Sequence, residues 1–141
     1  MKKILILNGP NLNMLGKRQP EIYGNRSFED YFRKLKKMFP QVQLDYYQSN
    51  HEGDLIDKLQ EAGVKYDGVV FNPAAYTHTS IALRDTVSAI EIPVAEVHIS
   101  NIYEREKFRH TSYIKDVAAF SIVGKGMDGY AEAVERLLKN N

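Results

Sequence analysis

With 141 residues and no linker, repeat or low-complexity tract, the chain is long enough to bury one real core and is expected to form a single domain over residues 1–141. Nineteen basic side chains against eighteen acidic ones leave a net charge of +1, so no global field draws nucleic acid or an anionic membrane, and any anion recognition is local. The absence of cysteine excludes disulfides and thiolate metal sites. Only four apolar residues follow Met1-Lys2-Lys3 before Asn8, short of the ~7–15 of a signal-peptide core. No run approaches the ~20 apolar residues of a membrane span, so a soluble, cytoplasmic protein is expected.

The first strand is expected at Ile4 to Leu7. Asn8-Gly9-Pro10-Asn11 then opens a connection that reaches about Ser27, although loops between strands and helices usually take ~2–6 residues. It carries Asn11, Asn13, Lys17, Arg18 and Tyr23-Gly24, and reads as an active-site lid, because ligands bind α/β sheets at the carboxyl ends of strands. Ser27 is an expected N-cap for a helix with apolar residues at Phe28, Tyr31, Phe32, Leu35 and Met38, stopped by Pro40. A second strand follows at Val42 to Tyr47. The next helix carries Leu55, Ile56, Leu59 and Ala62, with Gly63 as its expected C′ residue. A strand at Gly68 to Phe71, a helix from near Thr79 to about Ile90, strands at Val94 to Val97 and Phe120 to Val123, and a last helix through Tyr130, Val134, Leu137 and Leu138 complete the chain.

Strands alternating with helices in this way predict right-handed βαβ units and a parallel sheet covered on both faces. The expected fold is a flavodoxin-like α/β three-layer sandwich, its five strands ordered 2-1-3-4-5 and buried on both faces. That order makes strands 1, 3 and 4 neighbours, so Asn8 to Asn11, Asn72 to His78 and His98 to Asn101 converge on one crevice.

Glu96 and His98 lie two apart on a strand and share a face. A buried carboxylate needs a partner, and an acid-base histidine oriented by Glu96 is the functional reading; a structural polar pair is the alternative. Ser100 and Asn101 follow and could clamp a carboxylate or alcohols. Asn72, at a strand tip, is placed to bond a ligand, whereas Thr77, Thr79 and Ser80 read first as ordinary helix caps. Arg18 could stabilise the phenolate of Tyr23, whose ordinary pKa of ~10 is otherwise too high for a base near neutrality. Arg109, beside Arg105 and His110, could close over an acidic substrate.

Other motifs fare less well. Gly124-Lys125-Gly126-Met127-Asp128-Gly129 fits a GxGxxG pattern, but it opens the final helix, with no further strand or ribose-binding acid behind it. It is the best support for a noncatalytic flavodoxin-like module binding a nucleotide or small anion. His51, His78, His98 and His110 lack the spacing of a metal site.

Four ordered motifs carry a family resemblance: Leu7-Asn8-Gly9-Pro10-Asn11-Leu12-Asn13, Arg18 with Tyr23-Gly24, Asn72 to Ser80, and Glu96-Val97-His98-Ile99-Ser100-Asn101 with Arg109. Over nearly its whole length the chain resembles type II 3-dehydroquinate dehydratase, departing at Ala74, where that family often has glycine. The resemblance implies a homo-oligomer of the shikimate pathway, built as a dodecamer from trimers, that converts 3-dehydroquinate to 3-dehydroshikimate without cofactor or metal. It implies Tyr23 as base, Arg18 as stabiliser of the phenolate, Asn11 as holder of a water near the enolate oxygen, His98 as acid and Glu96 as its orienting partner. Asn72, His78, Ser100, Arg109 and the Ile99 backbone are implied substrate contacts, and Asp85 a contact across a subunit boundary.

Overall fold

The computed structural model describes residues 1–17, 21 and 26–139; Arg18, Tyr23 and Gly24 lie outside the described residues. Five strands, β1 (Lys2–Asn8), β2 (Val42–Gln48), β3 (Gly68–Asn72), β4 (Val94–His98) and β5 (Phe120–Val123), form one parallel sheet in the order β2-β1-β3-β4-β5. The helices α1 (Phe28–Met38), α2 (Glu52–Lys65), α3 (Ile81–Ala89) and α4 (Asp128–Lys139) make up the outer layers. Two apolar clusters flank the sheet. Ile4, Ile6, Val70, Ala95 and Val97 pack toward α1 and α4, while Leu5, Leu7, Val69, Phe71 and Val94 pack toward α2 and α3. The alternation follows from the two-residue period of a strand, which sends neighbouring side chains to opposite layers.

β1, β3 and β4 are buried on both faces from Ile4 onward, as their uninterrupted apolar runs require, but the edge strands depart from that expectation. β2 exposes Gln43 and only half-covers Asp45 to Gln48, and β5 buries only Ile122. An edge strand has one neighbour instead of two, and polar side chains there discourage pairing with another chain.

The helix ends agree with expectation at Ser27 and Ser80 and differ at Gly63. Ser27 caps α1 by accepting from Asp30 N at 3.2 Å. Gly63 does not end α2, which continues to Lys65 with Tyr66 as its C-cap. Its missing side chain serves packing instead, since a Cβ there would sit 3.2 Å from Ile90 Cγ2. The helix expected from near Thr79 to about Ile90 is α3, which starts after Ser80, whose hydroxyl accepts from Leu83 N at 2.9 Å; a separate 3-10 turn, Ala74–His78, precedes it.

The connection after β1 is also more structured than a free lid in its described part. Asn11 starts a 3-10 turn, Leu12–Met14, and Leu12 and Leu15 are both buried in the core. Two apolar anchors therefore hold its first half against the sheet.

Candidate active site

The carboxyl ends of β1, β3 and β4 open on one cleft. Pro10, Asn11 and Leu12 line it from the first strand's exit, Asn72, Ala74, Ala75 and His78 from the third, and His98, Ile99, Ser100, Ile102, Arg105 and Arg109 from the fourth. The convergence expected from strand order is thus present. Asn13 and Lys17 are exposed outside this lining, and Asp85 is exposed on α3, also outside it. His51 and His110 do not reach the cleft, and no group of three or more metal-ligating side chains occurs among the described residues.

Close backbone contact joins two of the walls. Gly9 N donates to Asn72 O at 2.8 Å, and a Cβ on Gly9 would fall 2.6 Å from Pro73 O, so this position admits only glycine without backbone movement. Asn11 (φ 68°) and Ala74 (φ 53°) face the cleft from these two loops, both in the left-handed region that side chains disfavour. Such strain tends to gather where function dictates backbone shape.

Behind them lies a buried polar relay. Asn72 Nδ2 donates to Tyr130 Oη at 2.9 Å, and Tyr130 Oη donates to Asn8 Oδ1 at 2.8 Å. Ala74 N donates to Asn72 Oδ1 at 3.0 Å. Asn72 therefore lines the cleft as expected, but much of its amide is committed to tying α4 to the tips of β1 and β3. Burial pushes the Tyr130 phenol far above its ordinary range, so it serves here as a neutral donor and acceptor.

The Glu96–His98 pair is the chemical centre. His98 Nε2 lies 2.7 Å from Glu96 Oε2, and the two residues are 5% and 1% exposed. Glu96 also accepts from Thr77 Oγ1 (2.6 Å), Ser112 Oγ (2.7 Å) and Ser121 Oγ (2.6 Å). Burial alone would raise this carboxyl, but the hydrogen bond and charge of His98, joined by Ser121 and Thr77, outweigh it and hold the group ionised well below the usual carboxylate range. An ionised carboxylate has no proton to give, so His98 Nε2 carries the hydrogen between them. Nδ1 is then the ring nitrogen left to exchange a proton with a ligand in the cleft.

His78 is set up differently. Its Nδ1 lies 2.7 Å from Thr111 O, which accepts, so Nδ1 is protonated and Nε2 is an acceptor in the neutral ring. Burial lowers its pKa most, with His98 and Arg109 lowering it further against the opposing Thr111 bond, which favours that neutral form. Arg109 Nε donates to Glu106 Oε1 at 2.8 Å, and Arg105 NH1 reaches Ser100 Oγ at 3.4 Å. The cleft thus combines two guanidinium groups, a hydroxyl, two amides and two imidazoles, suited to a small anion bearing hydroxyl groups.

The residues missed from sequence are Thr77, Ser112 and Ser121 around Glu96, and Arg105 as a lining residue. Ser121 had a readable signal, being a polar residue in a strand and directly in register with Glu96. Ser112 had none, since it comes from an irregular segment that only the fold brings back.

The glycine cluster has a structural role. Gly124 N donates to His98 O (3.3 Å) and Ser100 O (3.2 Å), and Gly126 N donates to Ile99 O (3.0 Å). These N–H groups fasten the exit of β4 and are turned away from the task of cradling a phosphate.

Comparison with known proteins agrees with this geometry. The family model for dehydroquinase class II matches residues 2–138. The 3-dehydroquinate dehydratase of Bacillus licheniformis is 52% identical, with 100% of this chain and 99% of that protein covered. A crystal structure of the type II dehydroquinase from Butyrivibrio crossotus superposes with a TM-score of 0.94 at 47% identity, covering 97% of each chain. That from Propionibacterium acnes gives 0.95 at 37% identity, covering 99% of this chain and 97% of the other. With a buried Glu96–His98 pair at the carboxyl edge of a 2-1-3-4-5 sheet and whole-length likeness to these proteins, the chain belongs to the class II dehydroquinase family.

Proposed function

We propose that this chain removes water from 3-dehydroquinate to give 3-dehydroshikimate, as a cofactor-independent hydro-lyase of the shikimate pathway acting as a cytoplasmic homo-oligomer. The observation that carries the reading is the Glu96–His98 pair, hydrogen-bonded at 2.7 Å and facing a cleft that also holds Ser100, Arg105 and Arg109.

Elimination beside a ketone needs a base, a stabiliser of the enolate and an acid for the departing hydroxyl. Tyr23, as a phenolate stabilised by Arg18, takes the proton from the carbon next to the ketone, and the C–H electron pair becomes the enolate. Asn11 orients a water at the enolate oxygen. The enolate then expels the hydroxyl, a carbon–carbon double bond forms, and protonated His98 delivers the Nδ1 proton that turns the leaving group into water. Glu96 holds the ring in place through Nε2. Tyr23 ends the cycle holding the substrate's proton while His98 has given its own to the departing water, so net transfer of one proton from Tyr23 to His98 resets both groups. Asn72, neutral His78, Ser100, Arg109 and the Ile99 backbone bind the ring substituents.

Steady-state and binding measurements on Tyr23→Phe and His98→Ala test this division of labour. Each is expected to lose at least the ~10²–10⁴-fold in kcat typical of a missing acid or base, while substrate still binds. Near-normal kcat in Tyr23→Phe refutes the base assignment.

A further inference from the structure

The turn after β2 takes no part in lining the cleft, yet one of its hydrogen bonds holds a residue that does. Asn50, exposed at the surface, accepts the backbone N–H of Asn11 on its Oδ1 at 3.0 Å. The same oxygen accepts from Gln48 Nε2 at 3.1 Å, and Gln48 Nε2 also lies 3.0 Å from Gly9 O, two residues ahead of Asn11. The Asn50 backbone is fixed in turn, because its carbonyl accepts from Tyr76 Oη at 2.9 Å. Exits of the first, second and third strands are therefore tied at one residue, the first two through its side-chain oxygen and the third through its backbone carbonyl.

Asn11 needs such a tie. Its φ of 68° lies in the left-handed region, where an isolated residue relaxes unless its surroundings hold it. Although Asn11 occupies the N-cap of the Leu12–Met14 turn, its side chain makes no capping hydrogen bond. Its amide thus serves the cleft that it lines, and its direction is set by the backbone that Asn50 holds.

We propose that Asn50, supported by Gln48, is a positioning residue: its side-chain oxygen locks Asn11 in the left-handed conformation that aims the Asn11 amide at the water held beside the developing enolate oxygen. The inference rests on the catalytic role proposed above for Asn11. It requires an acceptor at Asn50 and nothing more, so a carboxylate oxygen in the same place performs the task, whereas an apolar side chain of similar size fails.

The test measures kcat, KM for 3-dehydroquinate and the thermal midpoint for Asn50→Leu, Asn50→Asp, Asn11→Ala and the double variant Asn11→Ala with Asn50→Leu. Loss of one aligning hydrogen bond is expected to lower kcat about tenfold in Asn50→Leu with KM little changed. Asn50→Asp is expected to stay within about twofold of the unaltered protein. In the double variant the Asn50 change adds nothing to the Asn11→Ala loss, because the group it aims has gone. Equal losses in Asn50→Leu and Asn50→Asp overturn the proposal, as do losses that multiply in the double variant. A crippled Asn11→Ala beside a normal Asn50→Leu overturns the positioning role alone, whereas a normal Asn11→Ala removes the catalytic reading of Asn11 and this inference with it.

Discussion

Ala74 carries a methyl group at a φ of 53°, where an L-residue is strained by about 1–2 kcal/mol. Its N–H is nevertheless fixed by Asn72 Oδ1 at 3.0 Å, and it lines the cleft, so the conformation is imposed by the site rather than by the residue. Ala74→Gly relieves the strain at some cost in unfolded-state entropy, for an expected net gain of about 0.5–1 kcal/mol in denaturant unfolding. A loss of stability in that variant contradicts the strained assignment. Glu96 makes the opposite kind of contribution. Its folded pKa is lowered, from 4.5 to about 2, by the charge and hydrogen bonds that overcome its burial. A carboxyl with a depressed folded pKa contributes stability that is complete above its unfolded pKa and is lost as pH falls through the folded one. Stability is therefore expected to fall between about pH 4.5 and pH 2, with Glu96→Gln flattening that slope. At neutral pH, Glu96→Ala leaves His98 and three hydroxyls without their acceptor, and about 3–5 kcal/mol is expected to go with it. A variant with an unchanged acid slope refutes the ionised-carboxylate account.

At the scale of elements, the loop before α4 is a brace for the exit of β4. Gly124 has φ 76°, and a Cβ there would lie 3.0 Å from Asn101 Cβ; Gly126 has φ 59° with nothing within 4 Å of an added Cβ. Gly126→Ala therefore meets backbone strain alone, about 1 kcal/mol, whereas Gly124→Ala meets strain plus collision with the residue next to Ser100. A KM several-fold higher in Gly124→Ala than in Gly126→Ala is the expected result, and equal effects contradict the bracing role. Elements with a period were legible in the sequence: the buried runs of β1, β3 and β4 and the apolar stripes of α1 and α4 fell where apolar spacing puts them, except that Met38, last in the α1 stripe, is exposed. Helix ends were less so. Gly63 is a good stop in isolation, but tertiary contact with Ile90 made its small size useful inside α2. The GxGxxG spacing misled for a related reason, since glycine permits both phosphate binding and close backbone packing, and only the partners of its N–H groups tell them apart. At the site, strand order predicted the convergence of Asn11, Asn72 and His98, and shared strand face predicted the Glu96–His98 pair. The hydroxyls of Thr77 and Ser112 around Glu96 were invisible, because no local pattern records which loops close over a strand.

At the scale of the whole molecule, the cleft is walled by elements of one chain, yet Asp85 is exposed on α3 and absent from that lining. We propose that it serves the cleft of a neighbouring subunit, as the family resemblance implies. If Asp85 acts across a trimer boundary, mixing Asp85→Ala with Tyr23→Phe, each inactive alone, and exchanging subunits restores sites with both residues intact. Hybrids that exchange but regain no activity contradict the shared site. The most direct measurement is simpler: chelator-treated protein is added to 3-dehydroquinate and ultraviolet absorbance is followed, because dehydration creates a conjugated enone where the substrate has an isolated ketone. The account predicts a catalysed rise that survives chelation and is lost in His98→Ala; folded protein that gives no rise above the uncatalysed rate contradicts it.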